Sequence, residues 1–328
     1  MADCNTYAGK NTFLLFGVES EFNTPVATTK DIGTVNSISP DWSNNLIEVR
    51  EIGSRESAEN VVGNFDVTIG VDGTLNSGAI LELFFGQSTD TETTGDYKHT
   101  FVNRGTLDIL NCTDSFTVSE NYSGGSDVVY TYSGCKINTL DVSFEQGGTL
   151  DFSAEIIGSS VATTTSAGTQ ITTTTSKLSS INATLSTGDS GSEAEVGRTR
   201  SVSISLNNNI DASDTKAIGS RFNQDLVEKN LDCSIEFTKT FVNKTESERF
   251  LGDTSPQNSP TDTAVILSIN NGVTLGSGRI EFYIKVIGGQ YESTSKTISQ
   301  DGVVEETFNY VGGNIDDVWF VDAVTSYF

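Results

Sequence analysis

Ser37-Ile38-Ser39, followed about thirteen residues later by Ile52-Gly53-Ser54-Arg55, occurs a second time in the same chain as Ser203-Ile204-Ser205 and Ile218-Gly219-Ser220-Arg221. A shift of 166 (203 minus 37) lays residues 37–86 on 203–252 without a gap. Identities continue at Val61/Val227, Asn64/Asn230, Asp66/Asp232, Ile69/Ile235, Thr74/Thr240, Glu82/Glu248, Phe84/Phe250 and Gly86/Gly252. The shift is close to half of the 328 residues, which predicts a tandem duplication of one domain. A chain carrying two copies of one fold can stand in for two subunits of a ring.

Each half is long enough to bury a core of its own. Ser, Thr, Asn, Gly and Val are plentiful, so short strands joined by turns are favoured and the expected class is mainly β. A net charge of −25, with 19 Lys and Arg against 44 Asp and Glu, argues against sequence-independent nucleic-acid binding, which needs clustered cations. The same charge suits a surface past which DNA slides without sticking. Solubility accounts for most of these carboxylates, and adaptation to high salt is a third reading. Met1-Ala2-Asp3-Cys4-Asn5 lacks a basic signal-peptide start and no apolar run approaches a membrane span, so synthesis in the cytoplasm is expected. Cys4, Cys112, Cys135 and Cys233 show no ligand spacing. Cys233 falls on Val67 and reads as a small buried apolar residue, while a Cys112–Cys135 disulfide is conceivable but not required.

Along the chain, a polar arm (1–12) precedes a strand at Thr12–Val18 and a loop at Glu19–Asp31. Strands are expected at Gly33–Ser39, Leu46–Ile52 and Asn60–Val71, the last nearly alternating apolar with polar. Ile80, Leu81, Phe84 and Phe85 recur at helical spacing behind Asn76 or Ser77 as cap, with Gly86 as the stop. In the second copy Thr245-Glu246-Ser247-Glu248 has the form of a capping box and Gly252 is the stop. Polar loops (Gln87–Asp96, Asp253–Asp262) follow each helix. Further strands are expected at Lys98–Val102, Thr106–Leu110, Ser115–Glu120 and Val128–Tyr132, then at Ala264–Ile269 and Arg279–Val286. Both copies end in a hairpin. Leu140–Glu145 turns at Gly147-Gly148 into Thr149–Ile157, and Tyr291–Ser299 turns at Asp301-Gly302 into Val303–Val311. Here the shift is 154 (301 minus 147), so about a dozen residues are missing from the middle of the second copy. The expected organisation is a first domain at 1–158, a Ser/Thr-rich linker at 159–180 and a second domain at 181–328.

Catalytic chemistry is not legible. His99 is the only histidine, which removes multi-histidine metal sites and all but one placement of a histidine base. Phosphate-loop, dinucleotide and zinc-protease motifs are absent. The acidic turns at Asp211–Asp214 and Gly188–Glu195 lack calcium-loop spacing and read as solvated turns, and four Asn-x-Ser/Thr sequons are expected by chance in this composition. The string that survives weighing is Ile-Gly-Ser-Arg. Its glycines, Gly53 and Gly219, suit a turn. Arg55 and Arg221 point to an ion pair, within a domain or across an interface. Ile52, Ser54, Ile218 and Ser220 flank them as candidate assembly contacts.

The stretch Phe16-Gly17-Val18-Glu19-Ser20-Glu21-Phe22-Asn23-Thr24-Pro25 resembles the opening of major tail tube proteins of long-tailed bacterial and archaeal viruses, with Asn23 in place of a usual glycine. Gly134-Cys135-Lys136-Ile137-Asn138-Thr139-Leu140 resembles a strand of the same family, and Ile157-Gly158 matches its ending. The resemblance implies two tandem β-sandwich or barrel domains, each with one flanking helix, and no cofactor. It also implies self-association into stacked rings whose inner strands form one lumen wall. Family rings hold six such domains, so a two-copy chain implies three chains per ring with pseudo-sixfold symmetry, six chains being the alternative. Implied partners are tape measure, tail terminator and distal tail proteins, with DNA passing transiently through an acidic lumen and the virion tail as destination. The N-terminal arm, Gln87–Asp96 and Gly313–Phe328, with Trp319 and Phe320, are the candidate ring-to-ring contacts. The competing reading is a tandem β-sandwich adhesin or carbohydrate-binding module. That reading needs an aromatic groove, whereas Trp42 and Trp319 do not recur between copies. An enzyme ranks third.

Overall fold

The computed structural model describes residues 9–328 apart from 87, 94, 102–113, 124–126, 172–175, 259, 260, 274–277 and 301. Most of the expected N-terminal arm, the strand expected at 106–110, Cys4 and Cys112 lie outside the described residues. The first half contains β1 (Thr12–Val18), β2 (Thr34–Ser43), β3 (Ile47–Arg50), β4 (Ser57–Val61), β5 (Asp66–Thr74), α1 (Ala79–Phe85), β6 (Ser88–Thr93), β7 (Asp96–Phe101), β8 (Phe116–Tyr122), β9 (Val128–Glu145), β10 (Asp151–Gly158) and β11 (Ser160–Thr164). The second contains β12 (Ala183–Gly188), β13 (Ala194–Glu195), β14 (Thr199–Asn207), β15 (Asp232–Thr240), α2 (Thr245–Leu251), β16 (Thr263–Asn270), β17 (Glu281–Thr297), β18 (Glu305–Val311) and β19 (Asn314–Asp322). The protein is mainly β, as its composition predicts.

Two long strands organise the chain. The first part of β9 pairs with β8 and β11, and β8 pairs with β1; the last part of β9 leaves for a second sheet, where it pairs with β10. In the second half β17 does the same, pairing first with β16 and β19 and then with β18. Segments expected as separate strands, Val128–Tyr132 with Leu140–Glu145 and Arg279–Val286 with Tyr291–Ser299, are thus single bent strands. Conversely, the strand expected at Asn60–Val71 breaks in two, because the chain turns between Val61 and Asp66.

Bulges fix the equivalence of the halves. Asn138 in β9 and Glu292 in β17 are both skipped by the partner strand, and they stand 154 apart. Asn36 in β2 and Arg200 in β14 are also skipped, but these stand 164 apart, while β5 and β15 and the two helices stand 166 apart. The gapless alignment is therefore corrected. Ser37-Ile38-Ser39 and Ser203-Ile204-Ser205 are two residues out of structural register, and the second half carries two extra residues in the loop that follows.

The helix caps also differ from expectation. Gly78 caps α1, its N–H taking the hydroxyl of Tyr327 at 3.0 Å, while Asn76 is turned to the Thr34 backbone N–H. In α2 the capping box does not form. Lys244 is the cap and pairs with Glu248 at 2.6 Å, and Glu246 points inward to accept from Thr187 (2.9 Å) and Tyr291 (2.6 Å). Thr245 lies inside the helix rather than at the cap position, and Glu248, the carboxylate that would complete the box, is held by Lys244 instead. Gly86 and Gly252 end both helices at positive φ, as read from the sequence. Gln87–Asp96, expected as a loop, contains β6. The Ser/Thr-rich stretch contains β11 and the fully buried Leu178, whose C=O accepts from the N–H of Leu150. One apolar cluster runs through both halves, with Cys233 and Val67 both buried in it, and Cys135 and Cys233 are free thiols.

The segment Gly17–Pro25 is organised by a single buried carboxylate. Glu19 accepts from Ser115 (2.6 Å), Thr117 (2.7 Å) and the backbone N–H groups of Asn23 (3.0 Å) and Gly134 (3.0 Å). Asn23 sits at φ 58, in the left-handed region that asparagine tolerates better than most residues with a side chain. Its side-chain oxygen in turn accepts from Ser133 and Ser160, tying the loop to β9 and β11.

The halves are also laced on their other side. β19 of the second half pairs with β7 of the first, and the buried His99 of β7 bonds Asp90 of β6 (2.8 Å) and Asp322 of β19 (3.2 Å) while lying on the ring of Tyr327. Burial alone would lower the His99 pKa, but the bonds to Asp322 and Asp90 outweigh it and raise it. Nearby Glu82 is pushed up to about 7 by burial and then by Asp90. The fold favours the protonated form of both groups. Their contribution is complete below the unfolded values and is lost as pH rises, through about 7 for Glu82 and above 6.5 for His99. Melting temperature is expected to fall by several degrees from pH 6 to pH 8.5, and Glu82→Gln to remove part of that slope; a flat profile would contradict the assignment. Glu19→Gln is expected to cost about 2 kcal/mol in chemical denaturation, because backbone donors lose their acceptor.

Candidate assembly interface

The second sheet runs without interruption through both halves. Its order is β2, β5, β10, β9, β14, β15, β18, β17, every neighbouring pair antiparallel. The first half contributes four strands and the second contributes their four equivalents in the same order. The joint is β9 with β14, registered from Ser201 opposite Glu145 to Asn207 opposite Thr139. Two edges are left open, β2 at one end and residues 290–297 of β17 at the other. By structural equivalence these are the partners that meet in the middle as β14 and β9.

The loop after β14 seals the joint. Asn208 donates to Asn138 O (2.8 Å) and Ile137 O (3.0 Å), and the N–H of Ile210 takes the Asn138 side chain (2.9 Å). Ile210 and Leu226 bury Ile157 between them. Lys216 is ion-paired with Asp66 of the first half. Asp66 also accepts from Asn45, which sits at φ 43 and bonds Asn64 O. The same device recurs in the second half, where Asn209 at φ 52 bonds Asn230 O (2.8 Å) and the Asp232 carboxylate (2.7 Å). Sequence reasoning found Asn64/Asn230 and Asp66/Asp232 but missed Asn45/Asn209, because the two-residue gap hides it.

Both Ile-Gly-Ser-Arg strings form the same turn. Gly53 and Gly219 have φ 95 and 94, and Ser54 and Ser220 each accept the N–H two residues on at 3.1 Å. Ile52 and Ile218 are fully exposed at the tips. The arginines differ. Arg221 crosses to the first half, donating to Gly63 O (3.0 Å) and Asn44 Oδ1 (2.7 Å) over the ring of Phe65. Arg55 is exposed on the β3–β4 hairpin. One further expectation is corrected. Phe320 is fully buried within the chain, since β19 folds against β7 and β17 rather than projecting outward. Trp319 is stacked on Tyr283 at 4.9 Å with Lys98 over its ring.

One face of the eight-stranded sheet packs on the core; the other is polar. Between the bulges its solvent-facing positions are Gly70 together with Ser, Thr, Asn and carboxylates, among them Asp72, Asp141, Asp151, Glu155, Asp232 and Glu236, with no Lys or Arg. Hydroxyl bonds from Ser37 and Ser153 hold Asp72 below the usual carboxylate range, so it stays ionised. Among the described residues no group of His, Cys, Asp and Glu is arranged to hold a metal ion. In the Asp211–Asp214 turn the carboxylates face Lys229 and Ser213 instead.

No curated protein matches the sequence. A solved structure, described as the hybrid structure of the SPP1 tail tube by solid-state NMR and cryo EM, is similar at 10% identity and a TM-score of 0.31, over 43% of this chain and 77% of that one. The family model described as phage tail tube protein matches residues 9–312. The chain thus belongs to the phage tail tube protein family, a structural class and not an enzymatic one.

Proposed function

We propose that this protein forms the hollow tube of a viral tail from stacked rings of three chains, each chain supplying two quasi-equivalent domains, with the polar face of the sheet lining the channel for DNA. The observation that carries this is the sheet itself, whose two open edges are the counterparts of the strands already joined at its centre. Repeating the β9–β14 joint between chains puts β17 of one molecule against β2 of the next. Three such contacts close a pseudo-sixfold barrel in which no edge is left for uncontrolled pairing. The expected register follows from the equivalences, with Ile298, Lys296, Thr294 and Glu292 opposite Ile38, Pro40, Trp42 and Asn44.

The ladder's alternation supports that register. Gln146 N–H bonds Arg200 O and Asn208 N–H bonds Asn138 O, so even-numbered residues of both strands direct their backbone groups across the joint. Transferred to the open edges, this places the missing N–H of Pro40 on the outward side of β2, where it disturbs no bond within the chain. Ionised carboxylates on the lining repel phosphate, which favours passage of DNA over trapping. Tape measure, terminator and distal tail proteins are the partners such a tube needs, and the virion tail is its place after synthesis in the host cytoplasm. Trp319 stays a candidate for contacts between rings; Phe320 does not.

Electron microscopy of the purified protein is expected to show rods of uniform bore, and a stable monomer that binds glycans would favour the adhesin reading instead. Thr294→Pro removes an outward N–H and is expected to cut rod yield about tenfold, the effect of roughly 1.4 kcal/mol per joint, with little change in monomer melting. Arg221→Ala is expected to destabilise the monomer by about 1–2 kcal/mol, since its bonds lie within the chain, whereas Arg55→Ala should leave monomer stability unchanged and reduce assembly. Equal effects of the two on monomer melting would contradict this division.

A further inference from the structure

We infer that the β3–β4 arm of one chain clasps the second half of its ring neighbour, and that Arg50 of the arm pairs with Asp232 of that neighbour. This rests on the ring reading proposed above and names the contact that locks it.

The loop after β14 and the arm after β2 are equivalent segments in different settings. Lys216 bridges to Asn223 as Arg50 pairs with Ser57, both a shift of 166 apart. The second-half loop lies on the first half and is satisfied there: Ile210 is 7% exposed, Arg221 is bonded and Lys216 is paired with Asp66. The first-half arm has no half in front of it. Leu46, the equivalent of Ile210, is 60% exposed, and Ile47, Val49, Ile52, Val61 and Val62 are exposed around it. An exposed apolar cluster of this kind marks an interaction surface.

The receiving surface is present at the open end of the second half. Val311 is the counterpart of Ile157, Glu292 the counterpart of Asn138, and Asp232, held by Asn209, the counterpart of Asp66 held by Asn45. Placing the arm of the next chain as the second-half loop is placed brings Leu46 onto Val311 and Arg50 to the Asp232 carboxylate. Arg55 then reaches Asn208, as Arg221 reaches Asn44. Among the described residues Arg50 is paired with Glu48 of its own strand, at 2.9 Å on the surface, a pair that costs little to release. The partner that fits is a second copy of this chain, since it alone repeats both the acidic socket and the apolar seat.

Charge reversal tests the pair. In rods assembled at low salt, Arg50→Glu and Asp232→Lys are each expected to raise the protein concentration needed for assembly about tenfold, and the double reversal to return it to within about threefold of wild type. Single reversals that assemble as wild type, or a double reversal no better than the singles, would overturn the clasp while leaving the ring intact. A wild-type chain that remains monomeric overturns both. Because Asp232→Lys also loses the Asn209 bond, Arg50→Cys with Asp232→Cys and a short bismaleimide gives an independent readout. Cross-links between chains in rods, above the wild-type background, support the clasp; their absence from intact rods refutes it.

Discussion

The antiparallel joint of β9 with β14 is the contact on which the rest depends. A half-sheet of four strands ending in two bare ladders is an aggregation hazard in water, and nothing in either half alone removes it. Joining the halves covers one pair of edges inside the chain and leaves the other pair, β2 and residues 290–297 of β17, open for the head-to-tail contact proposed above. In the proposed ring the same two strand types meet at every joint, so the geometry of the internal one specifies the external one. A heterologous contact of this sort closes into a ring or runs on as a filament, and the angle between the halves decides which.

The halves are not interchangeable, and their differences fall where they distinguish the two kinds of joint. Between its helix and the next strand the second half is 19 residues shorter (252–262 against 86–115), the stretch that in the first half contains β6 and β7, and longer segments further on reduce the net difference to about a dozen. That hairpin does not serve its own half's outer sheet; it extends the second half's sheet by pairing with β19. His99 sits in this lacing with an aspartate on either side, and Tyr327 continues it to the start of α1. The internal joint is therefore built on both sides of the core, whereas an external joint formed by the same strands lacks the hairpin. In the proposed ring such asymmetry would order the domains, since first half to second half within a chain and second half to first half between chains become distinct contacts.

Much of the fold was legible. The alternating strands, the hairpin at Gly147, the helix stripes of Ile80, Leu81, Phe84 and Phe85, and the burial of Cys233 follow from periodicity and from turn chemistry that acts locally. Most failures share one cause. Thr245 and Glu248 read as a capping box and Asn76 as a cap, but Lys244 takes Glu248 and the Thr34 N–H of β2 claims the Asn76 side chain. Phe320 was read as an exposed contact because nothing nearby in sequence covers it; β7 does. The repeated Ser-Ile-Ser is a true identity at non-equivalent positions, which only the bulges at Asn36 and Arg200 reveal. Of the candidate contacts, the Ile-Gly-Ser-Arg turns were legible in sequence, but not that Arg221 bonds the first half while Arg55 is exposed on its hairpin.

What the sequence determined by itself is the kind of element and its repetition, together with an acidic balance and the lack of any catalytic constellation, because these depend on local propensity, spacing and count. Which strands neighbour which, and hence that eight of them form one sheet with equivalent open ends, was decided only in three dimensions. Register and strand order are set by side chains that meet across more than a hundred residues of sequence, as Lys216 meets Asp66, and no local pattern carries that information.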